Sequence, residues 1–189
     1  AVATPAFFGS FKVLKNHDLS VRAFYKRMFR MPTFNDLYYT DMGNAFLKPE
    51  YAEQFNVGLK YTRNFEKSPF MRMLDVSVDA YYNKITDKII AYPKGQQFRW
   101  TMLNLGEVEI KGVDAVLNAL FTLGKLEVTT KFQYTYQKTI DITDPADTYY
   151  RDQIPYIPWH SGSAILALFY KGWGLNYSFI YTGQRYNQQ

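Results

Sequence analysis

Alternation constrains this chain more than any other feature of its sequence. Leu74, Val76, Val78, Ala80 and Tyr82 interleave with Asp75, Ser77, Asp79, Tyr81 and Asn83. A period of two puts the first set on one face of a β-strand and the second on the other. The pattern recurs where Phe55, Val57, Leu59 and Tyr61 alternate with Asn56, Gly58, Lys60 and Thr62. It recurs again between Leu126 and Gln137. The spacing predicts eight strands, at about 6–15, 19–29, 51–62, 73–85, 98–121, 126–137, 159–170 and 173–181. The fold class is therefore all-β, an antiparallel up-and-down sheet. In the fifth strand the apolar set changes parity: Val108 and Ile110 are followed by Val113, Ala115, Leu117 and Ala119. A one-residue slip at Gly112 predicts a β-bulge there.

The connections sort by length. Short turns near residues 17, 67, 123 and 172 alternate with long loops near 40, 95 and 148. Transmembrane barrels have this asymmetry, with short turns at one end and long loops at the other. No run of about 18 apolar residues supplies a membrane helix, but a barrel strand needs none. Aromatic residues make up 19% of the chain and include 17 tyrosines, as expected where rings occupy a membrane interface. Arg22 and Lys26 share the polar face of the second strand and are expected to face a lumen. The strands are thus expected to be part of a large transmembrane β-barrel. Two alternatives stand beside this. Eight strands can close into a small barrel, a passive pore or adhesin, or the sheet could belong to a soluble β-rich binding module.

The chain lacks the constellations that chemistry requires. It has no cysteine, hence no disulfide framework. The net charge of +5 is spread out, and Lys26-Arg27-Met28-Phe29-Arg30 is too short a basic cluster for a nucleic-acid groove. No zinc-protease, nucleophile-elbow or phosphate-loop motif occurs. His17 sits in a turn and His160 at a strand start. Asp75 and Asp79, four residues apart on one strand face, lie about 13 Å apart, too far for an acid–base dyad. They read as solvated lumen charges. Asp141, Asp144 and Asp147 lack the glycine and terminal glutamate of a calcium loop. The chain is expected to be no enzyme and to have no catalytic, metal or cofactor residues. Ala1-Val2-Ala3-Thr4-Pro5 has no secretory pattern, so the chain is expected to be a segment of a longer product.

Several stretches carry a family resemblance. Phe29-Arg30-Met31-Pro32-Thr33-Phe34 leads to Leu37-Tyr38, then to Gly43-Asn44 and Leu47-Lys48-Pro49-Glu50. Tyr81-Tyr82-Asn83-Lys84-Ile85-Thr86-Asp87, Asn104-Leu105-Gly106 with Gly112-Val113-Asp114, Ile154-Pro155-Tyr156-Ile157-Pro158-Trp159 and Tyr181-Thr182-Gly183-Gln184-Arg185-Tyr186 follow in order. Together they resemble the C-terminal barrel of TonB-dependent outer-membrane receptors, over nearly all 189 residues. The resemblance implies residence in the bacterial outer membrane, in contact with its lipid. It implies energised uptake of a small scarce nutrient, of the siderophore-iron or cobalamin class. The TonB complex would act through a plug domain. Residues 1–189 would be a partial barrel, without the plug and the final strands. The family's haem receptors place a histidine between the two halves of the first motif, and Thr33–Leu47 has none. Candidate ligand contacts are the loop residues Tyr38, Tyr39, Arg99, Trp100, Tyr149, Tyr150 and Arg151. Arg30, Pro32, Gly43, Asn44, Lys48, Pro49 and Glu50 match the family motif and are expected to shape the loop base.

Overall fold

The computed structural model describes residues 3–14, 18–94 and 99–186. It is one eight-stranded sheet. The strands are β1 (Ala6–Leu14), β2 (Asp18–Arg30), β3 (Glu50–Asn64), β4 (Met71–Lys94), β5 (Arg99–Leu123), β6 (Leu126–Asp141), β7 (His160–Tyr170) and β8 (Trp173–Thr182). Each pairs antiparallel with its neighbour in sequence. A five-residue helix, α1 (Phe34–Tyr38), lies between β2 and β3. β1 and β8 do not pair with each other, so the sheet is open. The predicted turn at 16–17 and the loop centre at 95–98 lie outside the described residues.

All eight expected strands form, and several run further than the alternation indicates. β4 continues past Ile85 to Lys94, β3 reaches Asn64, and β6 continues past Gln137 to Asp141. The extension of β4 pairs with β5 out to Lys94 and Arg99. About ten residues cross a bilayer as a tilted strand. β4 and β5, of 24 and 25 residues, are more than twice that length and project as a hairpin at the long-loop end.

Cross-strand register lines the residues up by chemistry. One row is Arg22, Gly58, Asp79, Asp114 and Thr135; the next is Ala23, Val57, Ala80, Val113 and Tyr136. The first row and its alternates make a polar face, the second an apolar face. Phe7, Tyr25, Phe55 and Tyr82 form an aromatic row across four strands of the apolar face, with ring centroids 4.8–6.4 Å apart. Below it Val57 is 56%, Leu59 51% and Phe132 51% exposed, and no second layer covers them.

The polar face satisfies itself. The Arg22 guanidinium donates to both Asp79 oxygens, at 3.0 and 2.5 Å. These residues stand on β2 and β4, two strands apart, and meet across Gly58 on β3. A side chain at Gly58 would occupy the space that the ion pair fills. Asp75 accepts from Thr62 (2.7 Å) and Asn118 (3.1 Å) and pairs with Lys60 at 3.3 Å. Asp75 and Asp79 are therefore paired, not merely solvated as the sequence suggests. Asp114 accepts from Thr135 at 2.7 Å.

The expected bulge at Gly112 is absent. Tyr81, Gly112 and Gln137 stay in register, and pairing continues unbroken on both sides. The parity change is a change of environment on one straight strand. Past Gly112 toward the loops, the polar face meets a small buried apolar cluster of Ala52, Ile85, Val108 and Ile154. Val108 and Ile110 turn into that cluster. Glu109 and Lys111 occupy the opposite face and pair at 2.8 Å. Gly112 serves another purpose: the Tyr81 ring lies over it, and the Tyr81 hydroxyl donates to Gln137 Oε1 at 3.3 Å. A Cβ at Gly112 would also stand 2.6 Å from the Tyr136 carbonyl oxygen.

Overpacking of this kind costs about 1–3 kcal/mol. Gly112→Val is therefore expected to lower the thermal unfolding midpoint of the detergent-solubilised gene product. Gly174→Val, where a Cβ would make only ordinary contact with Phe169 at 3.8 Å, leaves it nearly unchanged. Equal midpoints for the two variants would show that the Tyr81 seat is not tight.

Candidate binding site at the long-loop end

The β2–β3 connection is built by its own polar residues. Pro32 cannot continue the ladder and ends β2. Thr33 caps α1 by accepting from the Asp36 amide at 3.2 Å, while the Asp36 carboxylate accepts from the Thr33 amide at 2.9 Å. This is a reciprocal capping box. Arg30 closes it from the strand end, 2.9 Å from Asp36 and 3.8 Å from Glu50. Burial pushes the Asp36 carboxyl up, but the Thr33 and Arg30 hydrogen bonds outweigh it and hold the group below its usual range. The Gly43 amide donates to Tyr39 O at 2.7 Å and the Asn44 amide to Asp36 O at 2.9 Å, which folds the loop back on the helix.

The folded loop is then tied to the β4–β5 hairpin. Asn44 Nδ2 donates to Met102 O at 3.0 Å, and the Met102 amide donates to Met42 O at 2.9 Å. Asn104 accepts from the Lys48 amide at 2.8 Å and donates to the carbonyls of Lys48 (3.1 Å) and Asp87 (2.7 Å). Glu50 accepts from the Ile89 amide at 3.0 Å. Arg30, Gly43, Asn44 and Glu50 thus make the bonds at the loop base through side chain or backbone, and Lys48 makes them through its backbone. Pro49 sits directly before β3. Asn104, outside the first motif, is the hub that sequence reasoning missed. Its place in the Asn104-Leu105-Gly106 stretch was the available signal.

The β6–β7 connection folds inward. Ile140 and Gln153 form a bridge, the Ile154 amide donates to Thr139 O at 2.8 Å, and Gln153 Oε1 accepts from the Thr139 amide at 2.9 Å. This sets Ile154 against Val108, Ile85 and Ala52. Arg151 (φ 69°) and Tyr156 (φ 65°) take left-handed conformations where the chain reverses. Asp141, Asp144 and Asp147 each accept a backbone amide two residues on, at 2.8, 2.8 and 3.0 Å. They build successive turns. Among the described residues, no three His, Cys, Asp or Glu side chains converge as metal ligands.

The candidate contacts fall into two groups. Tyr38 and Tyr39 are 59% and 60% exposed on the β2–β3 loop, beside Phe34 and Phe46, which are exposed too. Phe34 meets Tyr38 at a tilt of 50°, with centroids 5.0 Å apart. Arg99 and Trp100 stand at the hairpin tip to which this loop is bonded, and Trp100 meets Tyr156 at 6.1 Å. Tyr149 and Arg151 line a separate recess of about 390 Å³ with Lys138, Trp159 and Tyr186. Tyr150 is half-buried beside them in sequence. Phe34, Phe46 and Tyr156 were not foreseen; their signal was an apolar ring within a polar loop. His160 Nδ1 lies 2.7 Å from the Tyr134 hydroxyl on the apolar face. A groove of about 890 Å³ is formed by strands β1–β6 along the aromatic row and includes no loop residue.

Comparisons with known proteins agree with this architecture. The sequence profile described as TonB dependent receptor-like, beta-barrel matches residues 2–189. The chain is 30% identical over 177 residues to a protein named vitamin B12 transporter BtuB from Photobacterium profundum, an alignment that covers 90% of this chain and 26% of that protein. It is 34% identical over 99 residues to the vitamin B12 transporter BtuB of Vibrio vulnificus, covering 52% and 14%. The chain thus spans about a quarter or less of the curated relatives it matches. Family-wide coverage, an all-antiparallel sheet and loops sorted to one end converge: this chain belongs to the TonB-dependent receptor β-barrel family of the bacterial outer membrane.

Proposed function

We propose that this chain forms part of the wall and mouth of an outer-membrane receptor for energised uptake of a cobalamin-class nutrient. The observation that carries the reading is the clasped β2–β3 loop. Exposed rings at Phe34, Tyr38, Tyr39 and Phe46 on the loop and the half-buried ring of Trp100 on the hairpin stand on two segments joined by hydrogen bonds through Asn44 and Asn104. A planar, partly apolar ligand gains most from aromatic groups that are ordered before it arrives. The names of the two relatives favour cobalamin over siderophore-iron. Transport energy would come from the TonB complex acting on a plug domain outside these residues.

In this reading the polar face lines the lumen and the apolar face meets lipid. The aromatic row marks the outer interface. Val57, Leu59, Leu117 and Phe132 then lie at membrane depth, which accounts for their exposure in the isolated sheet. The unpaired edges of β1 and β8 count against a closed eight-stranded barrel. The absence of a covering layer on the apolar face counts against a soluble sandwich.

Three outcomes follow. Saturable binding of radiolabelled cyanocobalamin is expected in outer membranes that contain the complete gene product. Trp100→Ala, or Tyr38→Ala with Tyr39→Ala, should weaken it about tenfold. Binding of a ferric siderophore in its place would sink the cobalamin assignment. Leu117→Arg should cost about 2–4 kcal/mol of folding free energy in lipid vesicles, while Ser77→Arg on the polar face should cost less than about 1 kcal/mol. Acid should loosen the mouth loop. The Asp36 carboxyl has a depressed folded-state pKa, so its contribution is complete above the unfolded value and is lost as pH falls below about 4. Hydrogen exchange of the Asp36–Tyr39 amides should rise over that range, and Asp36→Asn should remove the response.

A further inference from the structure

Along the continuation of the aromatic row and beyond it, toward the loops, the apolar face carries charges, and several are matched. Arg27 faces Glu53 at 3.8 Å, Lys84 meets Glu107 at 2.7 Å, and Lys111 meets Glu109 at 2.8 Å. Lys138, on this face, and Arg151, in the β6–β7 connection above it, are among the cations that are not. Among the described residues neither has a carboxylate within ion-pair distance. Arg151 feels Glu109 only at longer range, and that carboxylate is held by Lys111. Lys138 also stands directly across from Lys111 in the β5–β6 register. Opposed like charges destabilise a strand pair, so this position favours a bound anion.

The two cations share the recess of about 390 Å³ under the β6–β7 loop. Lys138 lies over the Trp159 ring, 5.8 Å from its centroid. The Arg151 backbone is fixed in its left-handed turn by donation to Asp141 O at 2.7 Å. Tyr149 and Tyr186 add ring walls, and Asp152 also lines the space. Arginine and lysine together are the pairing that grips a phosphate group. The recess opens on the face of Tyr134 and Tyr136, two residues beyond Tyr136 on the same strand, or about 6–7 Å. In register Lys138 continues the aromatic row through Tyr82 and Lys111, so on the reading that this row marks the outer interface its long side chain reaches the level of lipid phosphates.

We propose that Lys138 and Arg151 form a site on the outer barrel wall for the phosphate of an outer-leaflet glycolipid. The inference rests on the reading that the apolar face meets lipid. It gives Arg151 and Tyr149 a partner distinct from the transported nutrient.

The test uses the complete gene product in phosphatidylcholine nanodiscs doped with lipid A that carries both phosphates. Native mass spectrometry then counts the lipid A retained on ejection. The unmodified protein should retain lipid A. Lys138→Gln with Arg151→Gln should reduce its occupancy at least about tenfold, and Lys138→Arg should preserve it. Phosphate-free lipid A should be lost like the double variant. Unchanged retention in the double variant, or equal retention of phosphate-free lipid A, overturns the site. Release of lipid A by millimolar inorganic phosphate would reassign the recess to free phosphate and overturn the lipid assignment. Leu117→Arg separates the two levels. If that variant costs nothing in lipid vesicles, the membrane reading fails. If it costs as expected while the double variant keeps its lipid A, only this site fails.

Discussion

Everything in this structure depends on the antiparallel ladder that satisfies the backbone. A strand with hydrocarbon on one face has no water there to receive its amides and carbonyls, so each must find a partner in a neighbouring strand. The eight strands meet that demand with a simple order, each bonded to the one before and after it. Once the ladder is fixed, side chains have only two faces available. The sequence alternates accordingly, and the chain needs almost no core in the usual sense. Among the described residues its buried apolar side chains are few, and most sit where a loop covers the sheet, around Val108 and Ile154.

The polar face shows how charges persist in such a wall. Arg22 and Asp79 reach each other over Gly58, and Asp75 collects Lys60, Thr62 and Asn118. The Arg22–Asp79 pair crosses two strand boundaries, so it acts as a tie between strands that do not touch. The glycine beneath it is space, not flexibility. Gly112 plays the same part for the Tyr81 ring.

Much of this was legible in the sequence, because period two is a strong signal in long strands. The number of strands, their order and the sorting of loops all follow from it. What escaped was the part in which a face changes its surroundings. Val108 and Ile110 read as a slip because alternation was assumed to mean one environment along the whole strand. Tertiary cover from Ile154 reverses the polarity while the register holds. The extension of β4 was missed for the same reason: beyond the interface, Lys84 to Lys94 no longer alternate. The site was legible in part. Loop rings such as Tyr38 and Trp100 stood out by type. The fastening by Asn104 was hidden, since the Asn104-Leu105-Gly106 stretch marks the residue but not the partner more than fifty positions away that it bonds.

The fastening has a further consequence. The β2–β3 loop has its anchors on Ile89, Met102 and Asn104, all in the projecting hairpin, and Asn104 is itself bonded to Asp87 across that hairpin. Loop and hairpin therefore behave as one module seated on the barrel rim. A graft that moves the loop alone to another barrel would arrive without its footing. A graft of residues 30–50 together with 84–107 would carry the loop with its footing intact, and the exposed rings would keep their arrangement.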